Sequence, residues 1–503
     1  MSNLFELLLA DKAGSERLAL EGPGGVRFSF KDLVEASGRM ARALAALGVE
    51  PGDRIAVQVE KSPANLVLYL ACLRAGAVYL PLNTAYTLAE VAYFVGDAEP
   101  ALIVCDPAAR AGVEALAADS GARVQTMDAA GQGSLADLAA GQGSEFATVP
   151  RADDDLAAIV YTSGTTGRSK GAMLTHANLA SNARTLVGAW RFTPDDVLVH
   201  ALPVYHVHGL FVAINVMLMV GGTMIFLPKF DAGEIVGLMS RASVLMGVPT
   251  FYTRLLKHAG LGPDAVTGMR LFISGSAPLL AETHREWRAR TGHAILERYG
   301  MTETGMNVSN PYDGERVAGT VGRSLPGVEV RINDPETGAP VANGEIGMIE
   351  VRGPNVFKGY WRMPEKTAEE FRPDGFFITG DLGTIDPDGY VCIVGRGKDL
   401  IITGGLNVYP IEVEEKIDAL PGVVESAVVG LPHADFGEAV TAVVATGGGP
   451  AAPAEAEVLK ALEAELAAFK RPKRVIFVDE LPRNTMGKVQ KAALRAQFAG
   501  LYG

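Results

Sequence analysis

Cysteine is scarce in this chain. Of 503 residues only Cys72, Cys105 and Cys392 are cysteines, and they lie far apart with no paired spacing. That pattern excludes a disulfide framework or a thiolate zinc site and suits a reducing compartment, so a cytoplasmic protein is expected. A basic surplus is also lacking: 45 Lys and Arg stand against 58 Asp and Glu, a formal net charge of −13. Bulk nucleic-acid binding needs a basic surface, so no nucleic-acid partner is expected. An anionic ligand is still compatible, because a local cluster of donors outweighs a distant charge of the wrong sign. The N-terminus, MSNLFELLLADKAG, has no basic leader and no long apolar core, and does not read as a signal peptide. No fixed-period repeat is visible. One uncharged stretch, 209–227, is long enough to suggest a membrane span but is broken by Asn215, Gly221 and Gly222. A buried helix followed by a strand at 223–227 is the expectation there.

What remains is a globular composition, 48% hydrophobic and 20% charged, in a chain too long for one ordinary core. Apolar runs at 54–59 and 101–105 predict buried strands. Residues 32–47 have helical spacing, with Gly48 as a stop signal, and Thr87 with Glu90 forms a capping box for the next helix. This alternation predicts an α/β fold, with a large N-terminal domain (1–394) of helix-covered, mostly parallel β-sheets. The Gly- and Ala-rich stretch 129–143 reads as a surface excursion. Near Gly395 the pattern changes. Strands are expected at 423–431, 440–445 and 475–478, with helices at 454–468 and after Gly487. These predict a small, mobile α+β C-terminal domain (395–503), with a hinge in GRGKD.

The strongest local signal is YTSGTTGRSK at 161–170, between an apolar strand and a helix beginning near Thr175. Thr162, Ser163, Gly164, Thr165, Thr166 and Gly167 offer hydroxyls, N–H groups and close backbone approach to phosphate oxygens, and Lys170 adds a cation. Ser169 stands where a P-loop needs its second glycine, so this is a different motif. On these residues alone a flexible surface loop is the alternative. Further words follow in order: SGSAPL (274–279), ERYGMTET (297–304), TGD (379–381), GRGKDLIITGGLNVYP (395–410) and PRNTMGK (482–488). Together, nearly end to end, they resemble the superfamily of acyl- and aryl-CoA synthetases, luciferases and peptide-synthetase adenylation domains. Ser169 departs from the proline found in many members, a position with no chemical part in the reaction.

The resemblance implies a chemistry. A carboxylate is a poor acyl donor because oxide leaves badly, whereas attack on the α-phosphate of ATP gives a mixed anhydride that releases AMP. Negative charge accumulates on the way, so catalysis is mainly positioning and electrostatic stabilisation. ATP and coenzyme A are the implied co-substrates, with Mg2+ held by Glu303. Thr302 would touch the α-phosphate. Gly275, Ser276, Ala277, Glu297, Arg298 and Tyr299 would flank adenine, and Gly300 and Met301 continue that ATP-binding segment. Asp381 would take the ribose hydroxyls with support from Arg396. Lys488 would be the mobile catalytic lysine bridging carboxylate and α-phosphate, and a target for a regulatory lysine acetyltransferase. Lys398 would be the hinge for the second half-reaction, with Gly404 and Gly405 beside the pantetheine tunnel. Lys470 and Arg471 could meet the coenzyme's phosphates or simply be solvated.

For the acid, ALPVYHVHG places His206 and His208 at the family's acyl pocket, and GVPTFYTR puts Arg254 after a strand-like run lining it. A buried guanidinium demands a carboxylate, whereas a solvated helix face suits Arg254 equally well on its residues alone. The stretches LPLNTAYT (80–87), HREWRARTGH (284–293), NPYDGERV (310–317) and NVFKGYWRMPEKT (355–367) resemble bacterial malonyl-CoA synthetases. This implies malonate, and to varying degrees methylmalonate, as the acid, with its carboxylate at His206 and Arg254. Another short or medium-chain acid, or the loading of an acyl carrier protein, are the alternatives. No carrier segment with an attachment serine is evident after Gly487.

Overall fold

The computed structural model describes residues 3–502 apart from 119, 163–168, 405, 448–451, 464, 485 and 486. The chain divides into two units: Met1–Glu329 with Val351–Phe377, and Val330–Glu350 with Ile378–Gly503. The sequence-based boundary at 394/395 falls inside the second unit, on the strand Val391–Arg396.

In the first unit a six-stranded sheet runs in the order Arg123–Thr126, Leu102–Cys105, Arg54–Gln58, Val78–Pro81, Leu156–Thr162, Lys170–Thr175. All pairs are parallel except the last, which is antiparallel. Leu102–Cys105 and Val78–Pro81 are buried throughout, as expected of parallel strands covered on both faces. A second, nine-stranded sheet is parallel at its centre and includes Val197–His200, Thr223–Phe226, Val244–Gly247, Leu271–Ser274 and Leu296–Met301. The covering helices start where side-chain oxygens can take their free N–H groups. Ser29 and Asp32 form a capping box at Phe30–Ala46, Thr87 and Glu90 do so at Leu88–Ala98, and Thr175 caps His176–Ala189. The uncharged stretch becomes a π-helix, His208–Ile214, an α-helix, Asn215–Val220, and the strand Thr223–Phe226. Asn215 is fully buried, with its side-chain oxygen accepting from Tyr69 at 3.1 Å. No helix among the described residues is long and apolar enough to cross a membrane. The expected surface excursion at 129–143 instead contains a helix, Ser134–Ala140, because Leu135 and Ala139 find burial under it.

The second unit holds most of a four-stranded sheet, Glu329–Asn333, Gly347–Arg352, Phe377–Ile385 and Val391–Arg396, and all of a five-stranded one. In the latter, Glu425–His433 and Gly437–Ala445 pair antiparallel, and Arg474–Val478 joins parallel. Strand alternation sorts its two cores. Val428, Val440 and Val444 pack with the helices Pro410–Asp418 and Glu455–Glu463, while Val429, Leu431 and Val443 pack with Leu494 of Lys491–Phe498.

Candidate active site

The hydroxyl-rich loop at 163–168, and with it Ser163, Gly164, Thr165, Thr166 and Gly167, lies outside the described residues. The residues on either side of it are held in place. Thr162 pairs with Lys170 across adjacent strands, Tyr161 donates to Asp97 Oδ2 at 2.5 Å, and Tyr93 donates to the Ser169 carbonyl at 2.7 Å. Lys170 Nζ lies 2.8 Å from Glu370 Oε1 and 3.9 Å from the centroid of the Tyr360 ring.

Tyr360 connects this lysine to Glu303. Its hydroxyl lies 2.7 Å from Glu370 Oε2 and 3.1 Å from Glu303 Oε1. Glu303 is 6% exposed, and burial pushes its carboxyl above the usual carboxylate range. A hard divalent cation fits such a group, since it would restore the ionised form that burial disfavours. No cluster of three or more His, Cys, Asp or Glu able to hold a metal occurs among the described residues. Glu303 would suit an ion that takes one carboxylate and completes its shell with phosphate oxygens and water, the habit of Mg2+. Thr302 is half-buried beside it, in the turn after Leu296–Met301. Gly300 is required in that hairpin: a Cβ there would lie 2.0 Å from the Gly305 carbonyl.

The turn after Leu271–Ser274 carries Gly275, Ser276 and Ala277. Ser276 holds φ +73°, the left-handed region. A Cβ on Gly275 would sit 2.5 Å from Arg298 Cζ, so this glycine lets a guanidinium approach the backbone. Arg298 is 2% exposed, and its Nε and Nη2 have no hydrogen-bond partner among the described residues. Burial pushes it down to about 9. Glu297 does not neutralise it: neighbouring side chains on a strand face opposite ways, and Glu297 Oε1 accepts from the Leu279 N–H at 3.2 Å. Burial pushes that carboxyl up to about 8. His208 is equally buried. Its Nδ1 lies 3.2 Å from Ser276 Oγ, and its Nε2 has no partner among the described residues. Burial first, and then the Arg298 charge, hold the imidazole well below its ordinary range, so it is neutral. His206 is half-buried, with Nδ1 3.4 Å from the His208 N–H nitrogen. Tyr299 is buried, and its hydroxyl lies 3.9 Å from Met301 Sδ.

Arg254 is placed on the surface. The structure exposes its side chain on the last turn of Pro249–Leu256, with the guanidinium 5.8 Å from the Phe230 ring centroid. The helix buries Phe251, Tyr252, Leu255 and Leu256, which turns position 254 outward. A buried guanidinium whose Nε and Nη2 have no partner among the described residues belongs instead to Arg298, which the motif resemblance had assigned to the adenine. The sequence signal for it was an arginine inside an apolar strand, Leu296–Met301.

In the second unit Asp381 is 4% exposed and lies opposite Arg396 on adjacent strands, with Oδ1 3.1 Å from Arg396 Nε. Lys398 sits in the short helical turn Gly397–Asp399, where burial and then Arg396 lower its amine below the ordinary range. Gly404, at φ +57°, turns the hairpin between Ile401–Thr403 and Leu406–Val408; Gly405 lies outside the described residues. Asn484 closes the loop that presents Lys488. Its side-chain oxygen accepts from the Lys488 N–H and its own N–H donates to the Lys488 carbonyl, both at 2.9 Å. Lys470 Nζ lies 2.5 Å from Glu412 Oε2, and Arg471 donates to the carbonyls of Leu466 and Glu463.

Residues 10–361 match the family of AMP-binding enzymes, and residues 412–488 match the AMP-binding enzyme C-terminal domain. The chain belongs to the AMP-binding enzyme family. It is 36% identical over 498 residues to a malonate–CoA ligase of Arabidopsis thaliana, covering 93% of this chain and 81% of that one. It is 38% identical over 480 residues to a feruloyl-CoA synthase of an Amycolatopsis species, covering 94% and 95%. Among solved structures, ATP-bound MatB from Rhodopseudomonas palustris matches with a TM-score of 0.98 at 64% identity, over the whole of both chains.

Proposed function

We propose that this chain is an ATP-dependent, AMP-forming malonate–CoA ligase. A malonate oxygen attacks the α-phosphorus of ATP and pyrophosphate leaves. The coenzyme A sulfur then attacks the acyl carbon and AMP leaves. The observation that carries the choice of acid is Arg298, a buried guanidinium with open donors beside the neutral His208. Percentage identity to these two curated relatives does not by itself choose, since one is named for malonate and the other for ferulate. A ferulate-like acid would leave Arg298 unpaired, whereas the second carboxylate of malonate accepts its fork. Thr302, Ser276, Ala277, Glu297, Tyr299, Asp381 and Arg396 are assigned to ATP, with Glu303 holding Mg2+, which would neutralise charge on the triphosphate when bound. Residues 1–394 would bind ATP and the acid, and 395–503 would supply Lys488. Methylmalonate is proposed as a second substrate. Three free cysteines, two of them buried, support a cytoplasmic site of action.

The test is ATP–pyrophosphate exchange with malonate, methylmalonate, succinate, acetate, octanoate and a cinnamate. Malonate is expected to give the highest kcat/KM. Faster exchange with acetate or the cinnamate would remove the argument from Arg298.

Lys398→Pro probes the two half-reactions separately. Proline holds φ near −65° and removes a donor. Pyrophosphate exchange is expected to persist while thioester formation from coenzyme A collapses. Equal loss of both activities would show that Lys398 is not the pivot.

A further inference from the structure

Lys61 is a buried lysine that the chemistry above does not use. It lies between the strand Arg54–Gln58 of one sheet and the helix Pro63–Ala75, is 8% exposed, and pairs with no carboxylate among the described residues. Its ammonium group is held by one residue of the other sheet. Nζ donates to the His200 carbonyl at 2.7 Å, lies 2.8 Å from His200 Nδ1, and sits 4.4 Å from the Phe226 ring centroid. His200, 1% exposed, ends the strand Val197–His200, and its Nε2 is 2.8 Å from the Gly209 carbonyl.

These contacts leave one proton arrangement for a neutral ring. A carbonyl can only accept, so His200 Nε2 carries the hydrogen. Nδ1 is then a lone pair, and Lys61 is its donor. Burial first, and then Lys61, disfavour the imidazolium, so the ring is neutral. The far end of the relay is a crowded turn. A Cβ on Gly209 would lie 2.0 Å from the Pro203 carbonyl, so residues 203–209 fold back closely on themselves. Gly209 belongs to the π-helix His208–Ile214, a conformation rare enough to need support from its surroundings. The same turn carries His206 and His208.

A packing role does not account for Lys61. Burial holds the Lys61 amine well below its ordinary range, and a buried amine with no carboxylate partner costs more than an apolar side chain of similar length, so methionine would fill the space with less penalty. What lysine adds is a donor aimed at His200.

We propose that Lys61 and His200 are positioning residues for acid recognition: Lys61 fixes the His200 tautomer, and His200 fixes the Gly209 carbonyl and the turn presenting His206 and His208. The proposal rests on the reading of Arg298, with the neutral His208 beside it, as the group that receives malonate.

Lys61→Met in the full chain is expected to raise the malonate KM about ten-fold while the ATP KM stays within about two-fold, and without lowering the thermal midpoint. In 15N spectra the His200 ring nitrogens of the parent should show a single tautomer with Nε2 protonated, and the variant a mixture. His200 offers a second pair of variants. Glutamine places its amide near the Nε2 position and can keep the bond to Gly209, whereas asparagine reaches only the Lys61 side. His200→Gln should therefore hold the malonate KM closer to the parent value than His200→Asn does. This ordering tests the relay even where Lys61→Met fails to fold. An unchanged malonate KM in Lys61→Met, a parallel rise for malonate and ATP, or equal effects of the two His200 variants would overturn the proposal. Arg298→Lys measured alongside separates the two levels. If it spares malonate selectivity, the malonate reading itself fails. If it destroys selectivity and the relay variants do not, only the relay fails.

Discussion

Replacing Arg298 with glutamine is expected to lower kcat/KM for malonate by roughly two to three and a half orders of magnitude, the effect of leaving a buried carboxylate without its charge partner, about 3–5 kcal/mol. Butyrate presents no second carboxylate, so its weak turnover should fall little or rise. Arg298→Lys keeps the charge but loses the planar fork, and should give an intermediate loss on malonate. The free enzyme supplies a control for folding. In it Arg298 is a buried cation with open donors, so its removal relieves a desolvation cost and the thermal midpoint should hold or rise. Steady-state kinetics with malonate and butyrate at saturating ATP and coenzyme A, together with a melt, decide the matter. Parallel losses on both acids would return Arg298 to a role in ATP geometry.

Lys488→Ala should remove adenylation and largely spare thioester formation. Its ammonium would stabilise charge between carboxylate and α-phosphate, and loss of one such preorganised donor lowers kcat by about 100- to 1,000-fold. The second step starts from an adenylate already made. Synthetic malonyl-adenylate and coenzyme A, supplied to the variant, should therefore release thioester at nearly the parent rate. A fall as deep as that of pyrophosphate exchange would refute the assignment. Lys488→Gln should behave similarly, since acetylation by a lysine acetyltransferase would remove the same charge. Asn484 makes the test clean, because it holds the loop through the Lys488 backbone, which both variants keep.

Much of this protein is legible in local pattern. Alternating apolar strands and helices predict the α/β layers. Thr87 and Thr175 mark helix starts because a cap depends on a few neighbouring residues. The ordered motifs predict the family because each needs only its own few residues. The interruptions at Asn215 and Gly221 correctly argue against a membrane span, since both are local features of the chain.

Tertiary structure decided the rest. Whether Arg254 or Arg298 is the buried guanidinium depends on what packs around each, and an eight-residue amphipathic helix and a six-residue strand do not declare that in isolation. The division of the chain into units crosses between residues 329 and 330, 350 and 351, and 377 and 378, where strands continue without any change of composition. Lys61 and His200 are 139 positions apart and meet only because the folded first unit brings the ends of two strands from different sheets together. Local sequence sets which segments are strands and helices, because backbone hydrogen bonding and side-chain period act over a few residues. Which charges are hidden, and what they face, is set by contacts between segments far apart in the chain.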